Sequence, residues 1–194
     1  FLEAVGTRTP LQELQLTELN VKTPDAAVKD MLAPLLAGHD VGLLSDAGCP
    51  AVADPGARLV EAAHAAGVCV VALVGPSSLL LALMGSGLNG QKFAFHGYLP
   101  IDAAARLKEV KRLESESKAH AQTQLFIETP YRNMPLLDTL LKTLNANTQL
   151  CVAADLTLPS ETIRMHRVGE WQKRLKQGQG LELNKRPSIF LFLA

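Results

Sequence analysis

The sequence VGLLSDAGCPAVADPGARLVEAAHAAGVCVVALVGPSS, residues 41–78, carries the pattern from which we predict the fold class. It contains two apolar runs, Val41–Leu44 and Val68–Val74, and a turn rich in glycine, proline and serine follows each run. A helix-like segment follows each turn, so we predict the order strand, turn, helix, strand, turn, helix. Parallel strands joined in this way place the turns 45–55 and 75–78 at the carboxyl ends of neighbouring strands, where open α/β sheets bind ligands. The stretch therefore predicts an α/β fold with a binding crevice.

After a short polar linker at residues 89–92, the alternation of strands and helices begins again. Apolar runs predict strands at residues 93–99, 123–128, 149–156, 161–168 and 189–193. Helical spacing predicts helices at residues 102–119, 131–145 and 169–176. The alternation of polar and apolar residues in 161–168 is typical of an antiparallel or edge strand. We therefore predict two α/β domains, residues 1–90 and 91–194, with a ligand in the cleft between them.

The composition limits the classes of function. Of 194 residues, 47% are hydrophobic and 20% are charged, which is typical of a globular protein, and the formal net charge is zero. Any nucleic-acid binding must therefore come from local basic patches. No apolar run approaches the roughly 20 residues of a membrane span, and no cluster of Cys, His and Asp has metal-ligand spacing. Cys69 and Cys151 lie in apolar runs, so we expect both to be buried. We expect a reducing, cytoplasmic setting with no metal and no membrane.

The loop from Ser45 to Gly56 is the first candidate for ligand contact. Glycine lets a ligand approach the main chain closely, and proline fixes the loop. Asp46 and Asp54 offer acceptors for ribose hydroxyls or an ammonium group, or they cap turns. Cys49 suggests a nucleophile, but no histidine is near it in sequence, which favours a packed loop residue. The loop has neither a Walker motif nor a GxGxxG dinucleotide fingerprint.

Two further turns have polar residues at the end of a predicted strand. The turn Gly75–Ser78 offers helix N-terminal amides and two hydroxyls, which suit a carboxylate or a hydroxyl-rich ligand, although Ser77 is also a plausible N-cap. The turn 128–133, Glu-Thr-Pro-Tyr-Arg-Asn, is either a functional site or the place of a local ion pair between Arg132 and Glu128.

Basic residues recur in the last third of the chain, where acids are sparse. They form either a phosphate-binding surface or a solvated face. They are Arg164, Arg167, Lys173, Arg174, Lys176, Lys185 and Arg186.

Taken together, the motifs resemble the tetrapyrrole methylase superfamily, the class III S-adenosylmethionine-dependent methyltransferases. They are SDAGCPAVADPG at 45–56, GPSS at 75–78 and FAFHGYLP at 93–100. The nearest branch is ribosomal RNA small subunit methyltransferase I, with the patterns SDAGTPxxxDPG, PGPSA and a strand that ends in FLP. FIETPYRN at 126–133 is similar to that branch's FYESPHR. The resemblance extends from about Ala37 to the C-terminus.

This resemblance implies a fold, a cofactor and a set of site residues. The fold is two α/β domains with S-adenosylmethionine in the cleft between them, and the assembly is a homodimer. Asp46 or Glu128 is the implied catalytic carboxylate, and Tyr131 and Arg132 are implied to contact the substrate. The implied cofactor-binding residues are Gly48, Cys49, Pro50, Ala51, Val52, Ser77, Ser78, Thr129, Ala153, Ala154, Pro187 and Ser188.

The implied chemistry is methyl transfer from a sulfonium to an oxygen nucleophile, with the ribose 2′-hydroxyl of small-subunit ribosomal RNA as acceptor. Such a reaction needs in-line positioning, and a carboxylate near the hydroxyl would act as base or orient it. Two alternatives stay open. One is a methyltransferase for a tetrapyrrole or another small acceptor, and the other is a non-catalytic S-adenosylmethionine-binding protein.

Three departures from the branch pattern distinguish this sequence. We expect the family's opening strand to be absent, because the chain starts at Phe1 within a helix-like segment. The branch's Arg-Glu-Leu-Thr-Lys is replaced by residues 154–158, Ala-Asp-Leu-Thr-Leu, which lack both basic residues. Cys49 replaces a usual threonine. These departures weigh more against RNA as the substrate than against the cofactor.

Overall fold

The computed structural model describes residues 2–7, 9–46 and 48–194. Phe1, predicted in the first helix-like segment, and Ala47, predicted in the loop 45–56, lie outside the described residues. The chain divides into two compact units, Phe1–Gly75 and Pro76–Ala194. Residues 76–90 thus fall in the second unit, whereas the predicted domain boundary follows residue 90.

The first unit consists of short helices and irregular segments. Its helices are α1 (Leu2–Val5), α2 (Asp25–Asp30), α3 (Ala33–Leu36) and α4 (Ala57–Ala65), with a 3-10 turn at Leu11–Glu13. The helices α2 and α4 pack against each other, and an ion pair of 2.5 Å joins Arg58 to Asp25. Asp25 is 91% exposed, so this pair contributes little to stability.

The two strands predicted at 41–44 and 68–74 are not formed, and this part of the prediction was wrong. A strand exists only where a neighbour accepts and donates its backbone hydrogen bonds, and no described strand pairs with either segment. The side chains are exposed as well, with Leu73 at 89% and Val71 at 71%. Cys69, expected to be buried, is exposed for the same reason. Apolar, β-branched composition sets a preference for strand but does not provide the partner.

The second unit contains a sheet in which all five strands predicted after residue 90 are present. They are β1 (Phe93–Tyr98), β2 (Thr123–Glu128), β3 (Gln149–Ala154), β4 (Thr162–Arg167) and β5 (Ser188–Leu193). The order is β1-β2-β5-β3-β4, with β1 parallel to β2 and the other pairs antiparallel. The strand β4 is both antiparallel and at the edge, as its alternating sequence predicts.

Helices cover both faces of this sheet. They are α5 (Ser78–Ser86), α6 (Ala103–His120), α7 (Asn133–Thr143) and α8 (Val168–Lys176). On one face Phe126, Val152 and Phe190 pack in a core with leucines of α7 and with Trp171 of α8. On the other face Cys151 and Leu191 pack against α5. Because successive strand residues point to opposite faces, two-sided burial explains the nearly continuous apolar runs of β3 and β5. Among the described residues, no helix is long and apolar enough to cross a membrane.

Candidate functional site

Residues at one end of the sheet form a row across four strands. Glu128 of β2 pairs with Ser188 of β5, Ser188 pairs with Ala154 of β3, and Ala154 pairs with Thr162 of β4. Side chains of paired residues share a face of the sheet, and here it is the face covered by α6, α7 and α8. The fold therefore brings together six of the predicted site residues, which lie on or next to this row. They are Glu128, Thr129, Ala153, Ala154, Pro187 and Ser188.

The carboxylate of Glu128 closes the turn after β2. Its Oε1 accepts hydrogen bonds from the Thr129 backbone N–H at 2.6 Å and from Arg132 Nε at 2.9 Å. A second guanidinium nitrogen of Arg132 lies 2.6 Å from the same oxygen. Such charge-assisted bonds are short and strong. The local ion pair considered from the sequence is present, and it fixes the conformation of residues 128–132.

Asn133, at the start of α7, holds the segment before β5, a contact that its place in the turn 128–133 did not predict. The side chain is fully buried. Its Nδ2 donates to Leu183 O at 3.1 Å, to Arg186 O at 2.7 Å and to Ser188 Oγ at 3.2 Å. Its Oδ1 is buried and has no hydrogen-bond partner among the described groups. A buried acceptor in this state costs about 1–3 kcal/mol unless a donor such as water reaches it.

An ion-pair cluster holds the loop that follows β3. Arg186 donates from Nε to Asp155 Oδ2 at 2.7 Å and from a terminal nitrogen to Ser160 O at 2.6 Å. The Ser160 hydroxyl also donates to Asp155 Oδ2, at 2.8 Å. The Ser160 hydrogen bond and then Arg186 lower the pKa of Asp155 below its ordinary value. Arg186 thus brings a cation to the stretch 154–158, which contains no Lys or Arg of its own.

In the same loop, Asp155 and Thr157 have left-handed backbone conformations, with φ of 52° and 72°. A β-branched residue such as Thr157 rarely adopts this conformation, which costs about 1–3 kcal/mol. The hydrogen bonds of Asp155 to Arg186 and Ser160 maintain the loop despite this strain.

In the first unit, Asp54 organises the loop 45–56. Its Oδ1 accepts from the backbone N–H groups of Ala51 at 3.1 Å and Gly56 at 2.8 Å, and its Oδ2 accepts from Ser45 Oγ at 2.9 Å. Burial alone would raise the pKa of Asp54, but these three hydrogen bonds outweigh it, and the pKa lies below its ordinary value. Of the two interpretations of Asp54, capping of the turn is therefore the one observed.

The predicted cofactor residues 48–52 lie on the outside of this loop. Gly48, Pro50 and Val52 are exposed, and Cys49 and Ala51 are half-buried. Gly48 and Ala51 have left-handed backbone conformations, with φ of 74° and 65°, and such a conformation costs roughly 1–2 kcal/mol at alanine. Exposed backbone with an uncommon conformation is typical of a segment that contacts a ligand, and the role of 48–52 stays a prediction.

Asp46, one of the two predicted catalytic carboxylates, lines a groove of about 430 Å³ within the first unit. Asp46 is exposed, and among the described residues it has no hydrogen-bond or ion-pair partner. Other residues that line this groove belong to a segment for which the sequence predicted no function. It is formed by Thr17, Glu18, Leu19, Asn20 and Val21. No apolar period or glycine-rich motif marks residues 17–21, so no signal in this one sequence identifies them.

The other predicted residues lie in the second unit. Ser77 is at the N-cap position of α5, but its hydroxyl forms no hydrogen bond with the helix amides. Ser78 begins α5, which packs on β3, β4 and β5, the same sheet that carries the row. Tyr131 is 75% exposed, beside the Glu128–Arg132 pair. In the part of the chain that the structure describes, no group of three His, Cys, Asp or Glu residues is arranged to hold a metal ion.

Several curated proteins with similar sequences share a name. Ribosomal RNA small subunit methyltransferase I of Vibrio cholerae is 34% identical over 77% of this chain and 54% of its own length. The protein of that name from Pseudomonas aeruginosa is 35% identical over 84% of this chain and 59% of its own length. No model of a known protein family matches the chain. The chain spans about half the length of the curated relatives it matches.

Solved structures decide the fold. The methyltransferase CobJ superposes on 94% of this chain, with a TM-score of 0.60 and 17% identity, over 77% of its own length. Uroporphyrin-III-C-methyltransferase from Thermus thermophilus superposes on 89% of the chain, with a TM-score of 0.51 and 23% identity, over 69% of its own length. The fold is that of the tetrapyrrole methylases. Both the resemblance seen in the motifs and the predicted fold class are confirmed.

In this tetrapyrrole methylase fold, the sequence motifs predicted residues that lie in the row. They did not predict the side chains that hold the row in place. The motifs identified Glu128, Ala154 and Ser188, and the register places them side by side. They did not predict the supporting role of Asn133 and Arg186, whose hydrogen bonds hold the row's flanking segments. The sequence marked Asn133 only as the end of the turn 128–133 and Arg186 only as one of the basic residues in the last third of the chain.

Proposed function

We propose that this chain is an S-adenosylmethionine-dependent methyltransferase that acts on a ribose 2′-hydroxyl of small-subunit ribosomal RNA. The observation that carries this proposal is the 34–35% identity, over more than three quarters of the chain, to proteins named ribosomal RNA small subunit methyltransferase I. We also propose a homodimer, as the resemblance implies, in the reducing cytoplasmic setting expected from the composition. The similar solved structures support only the fold, because their sequence identities of 17% and 23% to this chain are too low to indicate the same substrate.

The residues of the second unit fit an adenosine-containing cofactor. Ala153 and Ala154 are small, fully buried residues at the end of β3, the strand end that the motifs assign to the cofactor. Pro187 and Ser188 meet this strand end, since the Asp155 backbone N–H donates to Pro187 O at 3.0 Å. We propose that Thr129 and residues 153–154 and 187–188 hold the adenosine part of S-adenosylmethionine. Ser77 and Ser78 would bind its methionine part through a hydroxyl that no helix amide occupies.

The first unit would contribute the exposed backbone of residues 48–52. A left-handed Gly48 presents its N–H and carbonyl groups without a side chain in the way. We propose that this segment binds the cofactor mainly through main-chain groups. When bound, S-adenosylmethionine supplies the electrophilic methyl group.

The two candidate carboxylates are suited to different tasks. Oε1 of Glu128 already accepts from Thr129 and Arg132, so Glu128 is suited to orient the turn and, through it, the substrate contacts of Tyr131 and Arg132. Asp46 is exposed on the wall of its groove, and its carboxylate is available to a ligand hydroxyl. We propose that Asp46 accepts the proton of the acceptor hydroxyl or orients that hydroxyl, and that Glu128 is a positioning residue.

Methyl transfer from tritiated S-adenosylmethionine tests this function. The purified protein is incubated with unmethylated small-subunit ribosomal RNA, with a uroporphyrin-type tetrapyrrole, or with neither. The proposal predicts label in the RNA only. Label in the tetrapyrrole alone would reassign the acceptor, and binding of the cofactor without any transfer would leave a non-catalytic binding protein.

A pair of variants tests the role of Asp46. Asp46→Asn should lower the rate by about 100-fold or more, as expected for loss of a general base. Asp40→Asn removes the same charge from another exposed position and should keep the rate. Equal rates for the two variants would exclude Asp46 from the reaction.

A further inference from the structure

The segment from β4 through α8 concentrates positive charge. Residues 162–176 contain five Lys or Arg residues and a single acidic residue, Glu170, in a chain whose net charge is zero. The excess of positive charge is therefore local, which is the pattern expected where a neutral protein binds a polyanion.

These charges come from two elements that pack against each other at one edge of the sheet. The strand β4 is an edge strand, and its Arg164 and Arg167 are exposed. The helix α8 packs on β4, where the rings of Trp171 and His166 meet edge-to-face with centroids 5.1 Å apart. Because α8 packs directly on β4, the backbone positions that carry these cations lie on neighbouring elements of one unit.

Most of the cations in this surface have no acidic partner. Glu170 lies 3.0 Å from Arg174, and the Arg167 guanidinium donates to Asn147 O at 2.8 Å. Within the described ranges, Arg164, Lys173 and Lys176 form no ion pair and no side-chain hydrogen bond. We call these three exposed residues the α8–β4 basic surface.

The pKa of the neighbouring His166 is consistent with this excess of positive charge. Burial first, and then the positive charges of Arg174 and Arg164, lower the pKa of His166, while Glu170 acts in the opposite direction. The neighbouring helix α7 carries the exposed pair Lys142–Asp138, whose charges cancel. The local net charge of residues 162–176 is therefore positive.

The long helix α6 provides a contrast. There Arg112 lies between Glu109 and Glu116 and pairs with both. The carboxylate of Glu114 accepts from the Asn145 backbone N–H and from the Thr148 hydroxyl. The helix α6 thus carries three acidic residues beside five Lys or Arg residues, whereas residues 162–176 carry one acidic residue beside the same number.

We propose that the α8–β4 basic surface docks the phosphate backbone of the RNA substrate, outside the residues that bind the cofactor. This inference rests on the proposed function for the identity of the RNA. Separate, unpaired cations on a rigid layer suit phosphates, because each can meet one phosphate and release its counterions. Phosphate contacts position an RNA without reading its sequence, so this surface would set the register of the strand on the enzyme.

The test compares two triple variants of the whole protein. One replaces Arg164, Lys173 and Lys176 by glutamine, and the matched control replaces Lys108, Lys111 and Lys118 of α6 in the same way. The probe is unmethylated small-subunit ribosomal RNA, titrated over a range of KCl concentrations. Loss of three phosphate contacts should make the decrease of log K with log salt shallower, by about 2 in the slope. It should also weaken RNA binding roughly 100-fold near 0.1 M salt. The control should bind within about 3-fold of the unchanged protein.

The methylation assay and the cofactor separate this inference from the proposed function. The surface variant should raise KM for RNA, keep kcat and bind S-adenosylmethionine as before. Unchanged RNA affinity, or equal losses in both variants, would overturn the basic surface while leaving the methyltransferase proposal intact. Equal binding of polyglutamate and RNA would also overturn it, because the surface would then suit an acidic protein. RNA binding that depends on the surface without any methyl transfer would support the surface and contradict the proposed function.

Discussion

The Arg132 guanidinium lies 2.6 Å from Oε1 of Glu128, and only 1% of the Glu128 side chain is exposed. Glu128 is also the end of the row that continues through Ser188 to Ala154. A carboxylate so deeply buried remains charged at low cost only if donors surround it, and here Arg132 and the Thr129 N–H supply them. The ion pair therefore maintains the predicted site at the end of β2.

The first prediction concerns this pair. Arg132→Met should lower the free energy of unfolding by about 3–5 kcal/mol, because it leaves Glu128 buried without its cation. Glu128→Gln should cost less, since Arg132 is 30% exposed and water can solvate it. The double variant should be more stable than Arg132→Met alone. Urea denaturation of the four proteins measures these differences, and additive losses would contradict the coupling.

The second prediction concerns Asn133. Asn133→Leu should cost about 2–4 kcal/mol, because the carbonyls of Leu183 and Arg186 and the Ser188 hydroxyl lose a buried donor. It should also expose the segment before β5 to limited proteolysis. Asn147→Leu, at an exposed position, provides the comparison, and equal stability and equal cleavage of the two variants would contradict the role assigned to Asn133.

The third prediction concerns pH. The pKa of Asp54 is lower in the folded protein than its ordinary value of 3.8, so Asp54 stabilises the fold fully above about pH 4. This contribution is lost as the pH falls from there through the lowered pKa. The stability difference between the unchanged protein and Asp54→Asn should therefore shrink below pH 4. Ser45→Ala, which removes one of the three donors, should show a smaller effect. A difference that stays constant between pH 7 and pH 3 would contradict the assigned bonds.

The fourth prediction concerns Gly56. A Cβ at this position would lie 2.7 Å from Asp54 Oδ1, 2.8 Å from Leu43 Cδ2 and 3.3 Å from Ala51 N. The Asp54 carboxylate cannot move away without losing its hydrogen bonds, so Gly56→Ala should cost about 1–3 kcal/mol. At Gly90 a Cβ would meet no atom within 4 Å, and Gly90→Ala should be close to neutral. Equal thermal stability of the two variants would contradict the close packing.

The sequence was a good guide to the second unit because each of its strands has partners within the same unit. The strand predicted at 123–128 has those bounds, and the others differ by at most two residues at either end. The first unit was different. Residues 41–44 and 68–74 have the composition of strands, but pairing depends on a neighbour, and local composition does not provide one.

In the candidate site, the positions of strand ends could be predicted from neighbouring residues, whereas hydrogen bonds between residues far apart in the sequence could not. Glu128 ends an apolar run, so its place at a strand end follows from the local pattern, and Ala154 lies within two residues of the predicted end of its strand. The bonds of Asn133 to Leu183 and of Arg186 to Asp155 span 50 and 31 residues, and only the folded chain brings these groups together. A single sequence does not contain that pairing.

Calorimetric titration with S-adenosylmethionine tests the central claim most directly, since every proposed role of the row and of residues 48–52 depends on this cofactor. We predict saturable binding of one molecule per chain. Ala154→Leu, which places a larger side chain at the end of β3, should weaken this binding at least tenfold, and Ala119→Leu on exposed α6 should leave it unchanged. Heat of binding that Ala154→Leu leaves unchanged would contradict the placement of the site. No heat of binding in the unchanged protein would contradict both the cofactor and the methyltransferase function.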